Sequence, residues 1–358
     1  MNTLLQEYEK EVVEWMNKVG WRENPFTLKI IPSLFVGYKE QVKKLAHHIK
    51  EGHKFALITG ATGSGKTTLL KLITEELKNE KKVIYLSKPP KPDEIVDIFT
   101  IFLKPSFLQR IFKPKVNLHD LHIFITQKLG NNSLLLLVDE GHEADVETLE
   151  WLRTITDQVD NLQLILAGLP SLEDFLRRNL ETLRGRITTH IELTNLDQDE
   201  TRELIRKRVE YVGGTGISPF TDTVVKEIYE ITGGFPREIL KLCNRLVQKA
   251  TEEGKIIIDQ VEGVEREERI SPSRDILREL PYKQRKIIEV LNTEGELFPS
   301  EIAEKIGFNS YKTKQHGVRS INNILRRLLE DGYVERKRKG KGYVYSLQTR
   351  IKNYMVES

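Results

Sequence analysis

The chain has 358 residues, enough for two or three domains, and its single cysteine, Cys243, excludes an intramolecular disulfide framework and favours a reducing cytoplasm. Its 39% hydrophobic and 30% charged residues are typical of a soluble globular protein, and no apolar run approaches the roughly eighteen residues of a membrane span, so we expect no membrane partner. The net charge of +3 is unevenly distributed, because residues 271–358 carry 18 Lys and Arg against 11 Asp and Glu. A basic C-terminal part predicts a polyanionic partner.

The first fifty residues predict two helices joined by an extended segment. Apolar residues at helical spacing predict a helix over residues 1–20. The segment after it contains Arg22-Glu23-Asn24-Pro25-Phe26, in which the proline favours an extended chain. Leu34-Phe35-Val36-Gly37 then precedes a helix predicted over residues 38–50.

A glycine-rich loop carries the strongest functional signal. The apolar run from Phe55 to Ile58 predicts a strand, an amphipathic helix is predicted over residues 66–77, and Gly-x-x-x-x-Gly-Lys-Thr lies between them. Its glycines allow successive N–H groups to converge on an anion, to which the helix adds the positive end of its dipole. Lys66 supplies a charge for the β- and γ-phosphates, and the Thr67 hydroxyl can ligate Mg²⁺. The residues predicted to bind ATP or ADP here are Gly60, Thr62, Gly63, Ser64, Gly65, Lys66, Thr67 and Thr68.

A second motif follows about seventy residues later. The continuous apolar run over residues 134–138 predicts a strand buried on both faces of a parallel sheet. It ends in Asp139, predicted to hold Mg²⁺ through water, and Glu140, predicted to polarise the attacking water. His142 completes a run similar to that of DEAH helicases, but their other motifs are missing, so we interpret it as a loop residue.

These motifs together resemble AAA+ ATPases, with the greatest similarity to the ExeA/GspA-type secretion ATPases and to transposition regulators such as TnsC. The resemblance covers about residues 15–265 and implies an α/β fold, in which a P-loop parallel-sheet core carries an α-helical lid. It places Pro25, Phe26, Phe35 and Val36 beside the adenine; ordinary core packing is the alternative.

The family resemblance also implies roles for three arginines. Leu183-Arg184-Gly185-Arg186-Ile187 is similar to a family stretch that supplies an arginine finger to a neighbouring subunit, and either arginine is a candidate; surface ion pairing is the alternative. Gly233-Gly234-Phe235-Pro236-Arg237 is similar to the sensor-two motif, in which the arginine reaches the γ-phosphate from the lid. Leu169 stands where the family has a polar sensor-one residue, which predicts slow hydrolysis.

The basic C-terminal part predicts a winged helix-turn-helix domain. Helices are predicted over residues 283–292, 299–306 and 318–331, followed by two alternating strands around a basic tip, an order that resembles a winged helix. An AAA+ part followed by a winged helix is similar to the origin-recognition initiators, and this resemblance implies binding of double-stranded DNA. A solvated loop is the alternative for the charged tip. The predicted DNA contacts are Lys312, Lys314, Arg319, Arg336, Lys337, Arg338, Lys339 and Lys341.

These expectations combine into three domains: a nucleotide-binding α/β domain over residues 1–194, a helical lid over 195–268 and a winged helix over 274–350. They predict an ATPase whose nucleotide state controls DNA binding or assembly, and a homo-oligomer that forms on ATP or DNA. Two other functions stay open: a nucleotide-sensing transcriptional regulator with negligible turnover, and a scaffold that recruits a protein partner.

Overall fold

The computed structural model describes residues 2–103, 116–261, 280–306, 314–330, 333–340 and 342–348. The chain divides into two compact units, residues 1–265 and residues 266–358. Within the described ranges, no helix is long and apolar enough to cross a membrane. The helices of the predicted lid belong to the first unit, and the division into three domains stays a prediction.

The first unit is built on a five-stranded parallel sheet. Its strands lie in the order β2-β3-β4-β1-β5. Strand β3 is buried along its whole length, as its continuous apolar run predicts, and β4 is equally buried although it contains Gln163. Because all the strands run parallel, the loops after β1 and β3 meet at one edge of the sheet. The strands are β1 (Phe55–Gly60), β2 (Lys82–Leu86), β3 (Leu134–Val138), β4 (Leu162–Gly168) and β5 (Thr189–Leu193).

Helices cover the sheet, and the three that follow residue 195 make up the predicted lid. The described helices of this unit are α1 (Asn2–Val19), α2 (Lys39–Lys50), α3 (Lys66–Leu77), α4 (Pro92–Phe102), α5 (Leu121–Leu129), α6 (Val146–Gln158), α7 (Ser171–Asn179), α8 (Glu181–Arg186), α9 (Gln198–Tyr211), α10 (Asp222–Thr232) and α11 (Pro236–Glu252). Helix α9 begins with a reciprocal cap, in which Asp197 accepts from the backbone of Glu200 at 2.8 Å and Glu200 accepts from that of Asp197 at 3.1 Å.

Two apolar cores lie on opposite faces of the sheet. One is formed by alternate residues of the central strands with α4, α5, α6 and α7. The other joins the remaining strand residues to α2 and α3 and continues without interruption into α9, α10 and α11. The lid helices therefore share a core with the sheet, and burial of apolar surface holds them there.

The N-terminal segment between α1 and α2 also holds the lid, through polar contacts. Arg208 of α9, which is 6% exposed, donates to the backbone oxygens of Pro25 at 2.8 Å and Thr27 at 3.0 Å. Asn24 donates to the side chain of Asn244 in α11 at 2.7 Å. Charge-assisted bonds from a buried guanidinium are strong, so this segment is fixed to the lid as well as to the sheet.

The second unit is a winged helix-turn-helix domain, as predicted. Helices α12 (Tyr282–Glu294), α13 (Pro299–Ile306) and α14 (Lys314–Glu330) precede a hairpin of β6 (Val334–Lys339) and β7 (Gly342–Leu347). Leu297 pairs with Tyr345 of β7 through an isolated antiparallel bridge, beside the two strands of the hairpin. A separate core of helix and strand residues stabilises this unit.

Candidate functional site

The glycine-rich loop joins β1 to α3 at the carboxyl edge of the sheet. Helix α3 begins at Lys66, as predicted, and the side chain of this lysine is almost fully enclosed. Its ammonium donates to the backbone oxygens of Gly60 at 2.7 Å and Ala61 at 3.0 Å. The buried ammonium, held by these two backbone oxygens, places a positive charge within the loop.

The two predicted metal ligands lie together. The Thr67 hydroxyl donates to Oδ2 of Asp139 at 2.6 Å, although 72 positions separate the residues in the chain. Asp139 is 2% exposed, and the Tyr85 hydroxyl donates to the same oxygen at 3.2 Å. Burial and the negative charge of Asp139 raise the pKa of Tyr85, so its hydroxyl keeps its proton and remains a donor.

Glu140 stands next to this pair in an unusual backbone conformation. Its φ of 50° lies in the left-handed region, and its N–H donates to Oδ1 of Asp139 at 2.9 Å. Its Oε2 lies 3.5 Å from Nδ1 of His142. A non-glycine residue with positive φ is uncommon and is held only where its surroundings require it.

The lid reaches the glycine-rich loop through Arg237. Gly63 has a φ of +86°, and a β-carbon placed on it would lie 2.6 Å from Cβ of Arg237. Arg237 is in the first turn of α11, which begins at Pro236. The predicted sensor-two arginine therefore lies directly against the loop that carries Lys66.

Tyr38 makes a second connection between lid and loop. Its buried hydroxyl donates to the backbone oxygen of Ser64 at 3.3 Å and also to that of Thr194, and its backbone N–H donates to the Glu200 carboxylate at 3.3 Å. Burial, followed by the charge of Glu200, raises the pKa of Tyr38. The hydroxyl therefore stays protonated and serves both carbonyls.

The four residues predicted beside the adenine occupy different surroundings. Phe35 lies against the loop, since a β-carbon on Gly65 would be 3.4 Å from its ring. Phe26 is 1% exposed and packs edge-on against Phe220, and Val36 belongs to the same core. Pro25 contributes the backbone oxygen that accepts from the lid arginine. Phe35 thus remains beside the phosphate-binding loop, and Phe26 and Val36 lie in core packing.

The two candidate finger arginines also differ. Arg186 forms an ion pair with Asp157, with Nε and Oδ2 2.6 Å apart, and donates to the backbone oxygen of Thr182 at 3.1 Å. Arg184 is exposed on α8. The pKa of His190 is lowered mainly by burial, and the positive charge of Arg184 contributes to this lowering. Arg186 is therefore engaged within its own subunit, and Arg184 is the exposed arginine that a neighbouring subunit could contact more easily.

The residues at this site fit a nucleotide with Mg²⁺. The Ser64 hydroxyl is buried in the loop and has no hydrogen-bond partner among the described residues. Such a hydroxyl can donate a hydrogen bond to an anion bound by the loop. Thr67 and Asp139 offer a hydroxyl and a carboxylate, the oxygen ligands that Mg²⁺ prefers. The backbone of the loop, Lys66 and Arg237 would face the phosphates.

Of the residues predicted to contact DNA, those that the structure describes lie on strand β6 and on helix α14. Arg336, Lys337, Arg338 and Lys339 are exposed along β6, and Arg319 is exposed on α14. The guanidinium of Arg336 lies over the Tyr343 ring at 4.9 Å, and Lys337 approaches Glu296 at 3.5 Å. Lys312, Lys341 and the side chain of Lys314 lie outside the described residues.

Three residues of the site escaped sequence reasoning: Tyr38, Tyr85 and His142. His142, which we interpreted as a loop residue, lies in a short 3-10 helix over Gly141–Glu143, and its imidazole lies beside Glu140. Tyr85 could have been found from its place near the end of the strand that pairs with β3, where sheet chemistry collects. No local pattern points to Tyr38.

Two family models match the chain. Residues 48–176 match the AAA domain, and residues 282–357 match the penicillinase repressor, a winged-helix family. Residues 48–176 are an AAA domain. The match runs from the end of α2 into α7, so it includes the glycine-rich loop and the Asp139-Glu140 pair. The predicted AAA+ resemblance and the predicted fold class are confirmed.

Two relatives share different parts of this organisation. The chain is 29% identical over 246 residues to general secretion pathway protein A of Aeromonas hydrophila, and the match covers 66% of this chain and 44% of the relative, so the chain spans less than half of that protein. It is 22% identical, over an alignment of 404 positions, to an uncharacterized HTH-type transcriptional regulator of Methanocaldococcus jannaschii, and this match covers 98% of this chain and 97% of the relative. The match to the second relative therefore extends over both units of this chain.

Solved structures share the fold along almost the whole chain. The ORC2 protein of Aeropyrum pernix, in ADPNP-ADP complexes, has a TM-score of 0.56 at 14% identity and covers 94% of this chain and 96% of its own. The ORC1 protein of the same organism, in complex with DNA, has a TM-score of 0.52 at 15% identity, with coverages of 94% and 97%. At 14% and 15% sequence identity, these matches establish a fold that this chain shares with the two proteins.

Proposed function

We propose that this protein is an ATPase that binds double-stranded DNA through its winged helix, and that the bound nucleotide controls DNA binding or assembly. The observation that carries the proposal is the contact between Thr67 and Asp139, because it joins two motifs from distant parts of the chain at one oxygen-rich site. The AAA domain, and nucleotide in the ORC2 structure and DNA in the ORC1 structure of Aeropyrum pernix, support the same function.

The residues divide the chemistry between them. Backbone N–H groups of residues 60–66 and the Lys66 ammonium bind the phosphates of ATP, and Arg237 binds the γ-phosphate from the lid. Thr67 and Asp139 would hold Mg²⁺, which when bound neutralises charge that develops between the β- and γ-phosphates. Glu140 accepts a proton from water as the water oxygen bonds to the γ-phosphorus, and the bond to the bridging oxygen breaks so that ADP leaves with its electrons.

The site is completed by a second copy of the chain in this proposal. Arg184 donates to the γ-phosphate held by the neighbouring subunit, so that hydrolysis depends on assembly. The lid connects nucleotide to assembly, because Arg237 and the Tyr38 contacts join it to the loop that holds the phosphates. Loss of the γ-phosphate removes the partner of Arg237 and releases the lid from its ATP-bound position.

The wing supplies the DNA contacts. The four cations of β6, residues 336–339, are exposed and alternate between the two faces of the strand, so they offer DNA phosphates a positive charge on either face. Arg319 on α14 would contact the edges of a groove. Electrostatic contacts of this kind weaken steeply as salt is raised.

A transcriptional regulator with a nucleotide sensor is the second candidate. It is favoured by the match to the Methanocaldococcus jannaschii regulator, which extends over 98% of this chain. In that function the nucleotide sets promoter affinity, and turnover has no role.

ATP hydrolysis measured with and without duplex DNA, in the intact chain and in Glu140→Gln, tests the proposal. We expect hydrolysis that DNA stimulates and that Glu140→Gln abolishes while ATP binding remains. Sequence-specific promoter binding that depends on ATP but is the same in Glu140→Gln would favour the regulator. Failure to bind any duplex at low salt would exclude both.

A further inference from the structure

A single aromatic side chain is exposed among the cations of the wing. Tyr343 of β7 is 47% exposed, and in the part of the second unit that the structure describes it is the only exposed large hydrophobic residue. The other apolar residues of the two hairpin strands are buried: Val334, Val344, Tyr345 and Leu347. An accessible aromatic ring beside a row of cations is the combination by which many proteins bind nucleic acid strands.

The pairing of the two strands places Tyr343 on one face with both arginines of β6. Arg338 stands directly opposite Tyr343, and Arg336 lies two positions before Arg338. Paired residues and residues two positions apart share a face of a hairpin, so these three side chains lie on the same side. Lys337 belongs to the other face, where its ammonium lies 3.5 Å from a carboxylate oxygen of Glu296.

Arg336 fixes the orientation of the ring. Its guanidinium carbon lies 4.9 Å from the centre of the Tyr343 ring, which is a cation–π contact and covers one face of the ring. At the other end of the hairpin, Val334 and Leu347 are fully buried in the core of this unit. The accessible part of the ring is therefore held on an ordered support, which lowers the entropy lost when a partner binds.

A flat partner that carries a neighbouring anion fits this surface. A nucleobase stacks on an aromatic ring through its π-face, whichever base it is, and the phosphate beside it attracts an arginine. Bases inside an intact duplex are stacked on one another, so a ring at the surface cannot reach their faces unless the base leaves the stack. The surface therefore fits a nucleotide whose base is unpaired.

We propose that the wing has a base-stacking site, in which Tyr343 stacks on an unpaired base and Arg338 binds the adjoining phosphate. This inference rests on the proposed DNA binding by the wing and adds to it a preference for DNA with unpaired bases over a fully paired duplex. Arg336 holds the ring from its opposite face. Because stacking releases no counterions, Tyr343 contributes to affinity without contributing to its salt dependence.

The experiment compares a fully paired duplex with a duplex of the same sequence that contains a short single-stranded gap. Fluorescence anisotropy at several salt concentrations measures both affinities in the intact chain, in Tyr343→Phe, which keeps the ring, and in Tyr343→Leu, which keeps only apolar volume. We expect the intact chain and Tyr343→Phe to bind the gapped DNA about 5- to 150-fold more tightly, the usual contribution of one stacked base. Tyr343→Leu should lose this preference and keep its affinity for the paired duplex.

Tyr211→Leu is the matched control, because this tyrosine of the first unit is 42% exposed and lies outside the wing. It should leave both affinities unchanged. Equal binding of the two DNAs by the intact chain, a preference that survives in Tyr343→Leu, or an equal loss for both DNAs in that variant would overturn the stacking site and leave DNA binding standing. An intact chain that binds neither DNA at low salt would overturn both.

Discussion

Gly63 and Arg237 are packed so closely that the lid and the phosphate-binding loop have no space for a methyl group between them. Gly63 also has a φ of +86°, which side chains rarely adopt. The residue therefore meets two requirements at once: a left-handed backbone and contact with the first turn of α11. The two can be separated by experiment, because another glycine of the same unit meets only the first.

Gly63→Ala should weaken ATP binding by at least about tenfold, because displacement of Arg237 removes a charged phosphate contact worth about 1.5–3 kcal/mol. Gly52→Ala is the matched control: its φ is +73°, but nothing lies within 4 Å of its added β-carbon. Titration of a fluorescent ATP analogue measures the affinity of each variant. Equal affinity in both would show that the contact with Arg237 has no influence on the nucleotide.

Asp139→Ala should lower the affinity for Mg²⁺ in the presence of ATP by about 10- to 100-fold, since it removes the carboxylate that orients the metal site. Tyr85→Phe removes one of the two side-chain hydroxyls that donate to Oδ2 of Asp139 and keeps the bond from Thr67. Its effect should therefore be smaller. Mg²⁺ titrations of nucleotide binding compare the variants, and an Asp139→Ala protein with the original Mg²⁺ dependence would contradict the assignment.

Arg184→Ala should reduce ATP hydrolysis by about a thousandfold without changing nucleotide affinity, the effect expected of an arginine finger. Arg186→Ala should instead lower the free energy of unfolding, by about 1 kcal/mol or less, because its ion pair with Asp157 is partly exposed. Mixing provides a further test. Lys66→Ala subunits cannot hold ATP but keep Arg184, so they should restore hydrolysis to Arg184→Ala subunits. No recovery on mixing would mean that Arg184 does not act between subunits.

Removal of wing charges should weaken DNA binding in a salt-dependent way. Arg338→Ala and Lys339→Ala should each reduce the slope of log affinity against log salt concentration by about 1, the effect of one lost phosphate contact. Lys286→Ala is the control, because this lysine of α12 is paired with Glu289 at 2.5 Å. Duplex affinities at several salt concentrations give the slopes; a wing that contributed nothing would leave all three proteins with the same slope.

His48 predicts an acid-sensitive first unit. It is fully buried, and neither ring nitrogen has a hydrogen-bond partner among the described residues. Burial, together with the nearby His53, lowers the pKa of His48 to about 4. Below the unfolded pKa of about 6.5, the unfolded chain binds a proton that the folded chain refuses, so stability falls as the pH drops from about 6.5 to 4.

The loss should be steepest at about 1.4 kcal/mol per pH unit and should disappear in His48→Leu, which cannot titrate. His47→Leu is the control, since the His47 side chain is exposed and its loss leaves the buried histidine in place. All three tryptophans, Trp15, Trp21 and Trp151, lie in the first unit, so denaturant unfolding followed by tryptophan fluorescence reports on it. An unchanged pH dependence in His48→Leu would assign the acid sensitivity to other groups.

Sequence alone predicted the elements whose signals are local. The phosphate-loop helix over Lys66–Leu77 and the strand Leu134–Val138 have the predicted bounds, because glycine loops and continuous apolar runs define their own ends. The meeting of Thr67 with Asp139 followed from the parallel order of the strands. In each case a short stretch of chain, or a rule of sheet topology, contains the necessary information.

The rest depends on contacts between distant residues. Tyr38 reaches Thr194 across 156 positions, and Arg208 reaches Pro25 across 183, and neither residue differs in its local pattern from ordinary core or surface. The same limit applies to Phe26, whose local pattern fits a place beside a base and a place in the core equally well and gives no sign of its contact with Phe220, 194 positions away. Three-dimensional packing decides such positions, and a single sequence does not encode it locally.

The clamp of Arg208 on the backbone of Pro25 and Thr27 has a consequence for anyone who wishes to recombine this protein with its relatives. A chimaera that exchanged only the helices after residue 194 would replace Asn244, the partner of Asn24. It would also replace Arg208, which holds the backbone of the segment that follows Asn24. The exchangeable block is therefore discontinuous: the first forty residues must be exchanged together with helices α9 to α11, although residues 41–197 separate them in the chain.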